Sequence, residues 1–126
     1  MEKVSLKKKY FALIVGEEAD FVSDQNATFV WGYLMEPDFI KELLGRKKPF
    51  APAVLRGYKR EKSEDKLTLI PDASSCVLGV VLLNLSEEEM KKLDEFEKVP
   101  EVMIRKRIEV EIGDFRREVY IYMRRE

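Results

Sequence analysis

The chain has 126 residues, 45% apolar and 37% charged, with 23 Lys plus Arg against 24 Asp plus Glu; this suits a single domain over 1–126 with one core and a densely charged surface, a composition that hints at a thermophile. A net charge of -1 offers no general basic field for nucleic acid or membrane. The absence of histidine and the presence of one cysteine exclude Ser-His-Asp and Cys-His catalysis, the usual His-containing zinc sites, and thiolate zinc or iron–sulfur centres. Acid/base chemistry is left to Asp, Glu, Lys, Tyr or bound water.

In chain order, residues 9–15 read as a strand. This run is too short to span a bilayer and has no cleavage site after it, so cytoplasmic residence is the default expectation. A polar stretch, 16–26, follows. Residues 28–34 (Thr-Phe-Val-Trp-Gly-Tyr-Leu) are β-branched and aromatic and predict a strand. A short helix over 38–44 carries Phe39, Ile40, Leu43 and Leu44 at helical spacing, and Gly45 ends it. Residues 49–52 read as a loop, 53–60 as a strand, 61–66 as an exposed turn, and 67–70 as a short strand closed by Pro71-Asp72.

The nearly continuous apolar run 77–85 predicts a central strand buried on both faces. Its neighbour Cys76 cannot form an internal disulfide and reads as a small buried hydrophobe rather than a nucleophile. Ser86 and Glu89 make a capping box, with Leu85 and Met90 as a hydrophobic staple. After Pro100, 103–112 and 117–123 alternate and read as a hairpin turning at Gly113-Asp114. Basic clusters at 105–107, 116–117 and 124–125 alternate with strand residues and read as solvated faces. Strands outnumber helices too heavily for a doubly wound sheet. The fold class expected is therefore α+β: a small, mixed, partly closed β-barrel with two short helices.

Glu97 stands out in this pattern. Met90, Leu93 and Phe96 form the apolar stripe of the helix that Ser86 opens, and Glu97 lies i+7 from Met90 and i+4 from Leu93. At about 100° per residue it points inward with them. An inward carboxylate loses hydration, which raises its pKa toward the range useful for moving protons. The bland alternative is a helix-end carboxylate that frays into solvent. Asp94, on the stripe's edge, would either orient Glu97 or cap a loop. Tyr120 and Tyr122 could supply a phenol, or simply pack.

Two further segments gain meaning in order. The strand-to-helix turn Trp31-Gly32-Tyr33-Leu34 can gather backbone N–H groups on a small anion, glycine permitting close approach and unusual dihedrals, or it can be only a turn. It precedes Leu55-Arg56-Gly57-Tyr58, then Leu78-Gly79-Val80, then Leu93-Asp94-Glu95-Phe96-Glu97. This ordered set resembles the γ-glutamylcyclotransferase-like superfamily, whose pattern is a Tyr-Gly-Ser/Thr-Leu turn, a Leu-x-Gly-Tyr/Phe strand, a Gly-x-hydrophobic strand and a Leu-Asp-x-x-Glu-Gly segment. The likeness spans residues 28–123 as a core, and 1–27 becomes an N-terminal extension with one strand.

The resemblance implies that Trp31, Gly32, Tyr33 and Leu34 hold the substrate's α-carboxylate and that Glu97 is the catalytic acid/base, with Asp94 and Tyr122 in support. It implies an intramolecular reaction in which the α-amine attacks its own γ-carbonyl, forming 5-oxoproline and releasing an amine or amino acid. No metal or cofactor is required, and the partner is a small-molecule γ-glutamyl substrate. The chain departs from the pattern at Trp31 for Tyr, Tyr33 for Ser or Thr, Lys98 for the Gly after the Glu, and Ile104 for a Tyr; the Lys98 ammonium could pair with Glu97 and hold its pKa down. The alternative is a non-catalytic module that holds a small metabolite or a protein on the same fold. Oligomeric state is left open.

Overall fold

The computed structural model describes residues 24–63 and 66–125, apart from the side chains of Tyr33, Ser63 and Lys66. The strand expected at 9–15 lies outside the described residues. Five strands form a closed barrel: β1 (Thr28–Val30), β2 (Phe50–Ser63), β3 (Lys66–Leu82), β4 (Met103–Ile112) and β5 (Phe115–Arg124), in the order β1-β3-β2-β4-β5. Neighbours are antiparallel except β1 and β5, whose parallel pairing (Thr28 with Tyr120, Phe29 with Ile121) closes the ring. Helices α1 (Pro37–Leu44) and α2 (Glu87–Phe96) complete the mixed barrel expected from the sequence. Among the described residues no helix is long and apolar enough to cross a membrane.

Two apolar clusters follow from strand alternation. Phe29, Leu55, Val81, Val110, Val119 and Ile121 fill the barrel. Val30, Leu82 and Tyr122 face the other way and are covered by Ile40 and Leu44 of α1 and by Met90 and Leu93 of α2. β1 is thus buried on both faces, which is why it is apolar or β-branched throughout. The helix ends obey local rules. Gly45 caps α1 at φ 89°, its N–H donating to the Lys41 carbonyl. Ser86 Oγ accepts from the Glu89 amide at 3.1 Å while the Ser86 amide donates to Glu89 Oε1 at 3.0 Å, completing the capping box.

Several boundaries differ from the sequence reading. The strand expected over 28–34 ends at Val30, because the chain leaves the ladder at Trp31 and folds into a 3-10 turn, Tyr33–Met35, with Met35 N–H donating to Gly32 O at 3.0 Å. The 49–52 loop, the 53–60 strand and the 61–66 turn are largely one strand, and the 67–70 strand continues through Pro71 into β3. Proline is tolerated there because the ladder slips: Arg56 pairs with Cys76 but Tyr58 pairs with Pro71, leaving Gly57 at φ 86° opposite residues 72–75. This bulge makes an elbow, beyond which the β2–β3 hairpin extends as a long arm. Cys76 lies at that elbow and is exposed, not buried as its apolar neighbours suggested. Leu78, expected inside, is 65% exposed. The last hairpin is as read but tighter: Ile112 pairs with Phe115 across Gly113, whose φ of 61° suits the first turn position.

Gly79 shows why one position of β3 excludes a side chain. An added Cβ would collide with the Val30 carbonyl oxygen and lie 2.7 Å from Phe29 Cζ. Gly79→Ala is expected to cost about 1–3 kcal/mol by pushing β1 outward. Chemical denaturation checks this, with a lowered midpoint as the expected result.

Candidate functional site

A cavity of about 540 Å³ opens beside the seam between β1 and α2, a size suited to a small metabolite. Its wall includes Trp31, Gly32 and Leu34 from the turn after β1, Glu97 from the end of α2, and Tyr122 from β5. These are the residues the sequence reading singled out, now around one space. Tyr33 contributes its backbone to the 3-10 turn. The leading N–H groups of such a turn have no acceptor within it, which leaves donors beside the cavity. Gly32 is not at positive φ, so the unusual dihedral expected of it is not needed. The space beside it is open, and an added Cβ would meet no atom within 4 Å.

Glu97 is the C-cap of α2, its amide donating to the Leu93 carbonyl at 2.9 Å. Burial pushes its carboxyl pKa up from 4.5, and among the described residues no cation or hydrogen-bond donor pairs with it to offset that loss of hydration. Lys98, the neighbour expected to hold the pKa down, turns elsewhere because it has a different task. It occupies the left-handed position at φ 57°, with Lys98 N–H on the Glu95 carbonyl at 3.1 Å and Val99 N–H on the Asp94 carbonyl at 3.0 Å. This is a Schellman ending, and its left-handed position is the one glycine ordinarily takes.

Asp94 does not orient Glu97. Its carboxylate accepts from the Tyr122 hydroxyl at 2.7 Å and pairs with Arg105 at 3.3 Å. Tyr122 is buried, and burial first, then the hydrogen bond to Asp94, raises its phenol far above the usual range. It is therefore a neutral, fixed wall of the cavity that keeps its proton. The basic strand cluster is only partly solvated: Arg105 and Arg107 lie 4.7 and 4.6 Å from the Tyr120 ring centroid. Ile104, where the family pattern has a Tyr, is not on the cavity wall.

Sequence reasoning missed Lys62 and Leu67, which pair across the arm and reach the cavity from its tip. Lys62 was placed in an exposed turn and Leu67 at the start of a separate short strand, and only the Gly57 bulge bends them over the site. Phe96 also lines the space, packed edge-on against Phe39 of α1 at 5.3 Å. Among the described residues no group of Cys, Asp and Glu converges as a metal site.

Two outcomes follow for stability. Lys98→Gly should stabilise by about 1 kcal/mol, read by thermal or denaturant unfolding, because the left-handed conformation strains a side chain. Glu97→Gln should raise Tm at neutral pH. The native pKa is raised, so between 4.5 and that raised value the native state binds more protons and loses stability as pH climbs. The gain should vanish below the unfolded pKa, which a Tm series against pH measures.

The comparisons with known proteins agree with this fold. The family model described as "Gamma-glutamyl cyclotransferase, AIG2-like" matches residues 28–126. AIG2-like protein C of Arabidopsis thaliana is 39% identical over 88 residues, covering 68% of this chain and 50% of that protein. The chain spans about half the length of the curated relatives it matches. A solution structure from Arabidopsis thaliana superposes with a TM-score of 0.70 at 27% identity, over 81% of this chain and 70% of that one. A structure described as a gamma-glutamyl cyclotransferase shares the fold at TM-score 0.66 and 16% identity, over 80% and 67% of the two chains. The chain with Glu97 and Gly32 on one cavity wall belongs to the gamma-glutamyl cyclotransferase, AIG2-like family.

Proposed function

We propose that the protein cyclises a γ-glutamyl amine or peptide to 5-oxoproline and releases the amine or amino acid. The observation that carries this reading is a desolvated carboxylate, Glu97, sharing one cavity with the Gly32 turn. The turn's backbone N–H groups would donate to the substrate's α-carboxylate, placing its α-amine toward Glu97. That amine is protonated at neutral pH, and a carboxylate of raised pKa is the better base for it. Glu97 takes the proton, and the amine nitrogen bonds to the γ-carbonyl carbon. The γ-amide C–N bond then breaks as Glu97 returns the proton to the leaving nitrogen, which also takes up the second proton shed by the attacking nitrogen and departs as an ammonium. Atoms balance without water, and Glu97 ends as it began.

The enclosure contributes the rest. A γ-glutamyl chain must fold back on itself to react, and fixing its two ends selects that conformer, removing much of the entropic barrier. Tyr122, held by Asp94, supports the wall and offers its oxygen as an acceptor without giving up its proton.

Purified protein should release 5-oxoproline from a panel of γ-glutamyl peptides and amines. Glu97→Gln should lower kcat by about 10²–10⁴-fold while the fold stands, and wild-type kcat/KM should lose activity on the acid side as the Glu97 carboxylate is protonated above pH 4.5. Gly32→Ala separates binding from folding: open space beside it predicts unchanged stability and a raised KM. No 5-oxoproline from any compound in the panel would leave the cavity as a binding site for a small acidic metabolite.

A further inference from the structure

The cavity has a continuation. From Trp31, Leu67, Met103 and Tyr122 a narrow neck passes under the arm. Through Leu69, Met123 and Arg124 it opens into a second space of about 560 Å³. Arm residues Leu67–Pro71 form one side, spanning about 13 Å at strand rise; the ends of β4 and β5 form the other. The charge along this path is one-sided. Lys62 stands at the cavity end, and Lys106, Arg124 and Arg125 line the far end, with no acidic residue among the described residues on the wall of either the neck or the second space. Lys106 and Arg124 have no carboxylate partner among the described residues, whereas other basic side chains do, such as Lys48 with Glu89 and Arg56 with Glu111. Arg125 is tied to the Pro100 carbonyl at 3.0 Å, which fixes that end of the groove.

We propose that this groove is a second subsite, holding the part of the ligand beyond the γ-amide bond, and that this part carries a carboxylate recognised by Lys106 and Arg124. The inference rests on the cyclotransferase reading for which end of the ligand lies at Glu97. It adds that the leaving half is an anionic peptide rather than a neutral or cationic amine. Three features carry it: continuity with the cavity, a reach of a few extended residues, and cations unopposed among the described residues of a chain whose net charge is -1. A cationic leaving amine would meet Lys62 at the entrance and Lys106 and Arg124 beyond it.

The test uses Glu97→Gln protein, in which turnover is blocked, and the chain's single tryptophan, Trp31, which lines both the cavity and the neck. γ-Glutamyl-alanyl-glycine, its C-terminal amide and γ-glutamyl-butylamine are titrated against Trp31 fluorescence, with calorimetry as a second readout. The free acid is expected to bind roughly fivefold or more tightly than the amide, by an amount that shrinks with added salt. The preference should disappear in Lys106→Gln/Arg124→Gln, whose exposed side chains can be replaced without disturbing the core. Equal binding of acid and amide, or a preference that survives the double substitution, overturns the subsite even where wild-type protein forms 5-oxoproline. A preference that depends on the two cations, found where no 5-oxoproline forms, upholds the subsite and overturns the cyclisation.

Discussion

Glu89 accepts from more donors than any single local rule requires. Its Oε1 receives the Ser86 amide and Lys48 Nζ at 3.0 and 2.9 Å, and its Oε2 faces Arg46 at 3.4 Å. Lys48 is fully buried and also donates to the Asn84 carbonyl. Burial alone would raise the Glu89 carboxyl, but the Ser86 amide and Lys48, with Arg46, outweigh it and hold the group below its ordinary value. One carboxylate therefore joins the loop after α1, the end of β3 and the first turn of α2. Removing one partner of such a pair strands a buried charge, at a cost of about 3–5 kcal/mol. Because α2 is anchored at its start, its far end is fixed too, and Glu97 stands at that end.

The opposite wall of the cavity depends on a different constraint. β1 is only three residues long and is clasped between β3 and the parallel β5. The bare backbone at Gly79 lets Phe29 and the Val30 carbonyl approach closely enough for that pairing. Where β1 ends, the chain must turn at Trp31-Gly32, and the turn faces α2 across the open space. A charge network thus sets one half of the site and steric closeness the other. The cavity is what remains between two elements that are each over-determined elsewhere.

Much of this was legible from local rules. The capping box, the apolar stripe of α2 and the last hairpin depend on residues within a few positions of one another, and all appear as read. Glu97's inward direction was legible for the same reason, since helical spacing alone decides it. Lys98 was misjudged because adjacency in sequence suggested an ion pair, whereas the Schellman turn points the chain elsewhere. Cys76 and Leu78 were misjudged because an apolar run does not say where a ladder slips. Lys48 reads as one more surface lysine in Arg46-Lys47-Lys48; its burial depends on Glu89, 41 residues away. Lys62 and the arm were hidden for a related reason: Gly57 reads as one more position of the 53–60 strand and Pro71 as the end of another, and only the slipped pairing beside them makes one bend.

That bend divides the molecule's responsibilities. Beyond Gly57, β2 and β3 pair only with each other among the described residues, while the ladder contacts of β2 with β4 and of β3 with β1 lie on the barrel side of the elbow. Changes along the arm therefore reshape the doorway without passing through the seams that close the ring. What the cavity admits and whether the chain folds become separable traits, so a lineage can retune one by drift in a single hairpin while the other stays still.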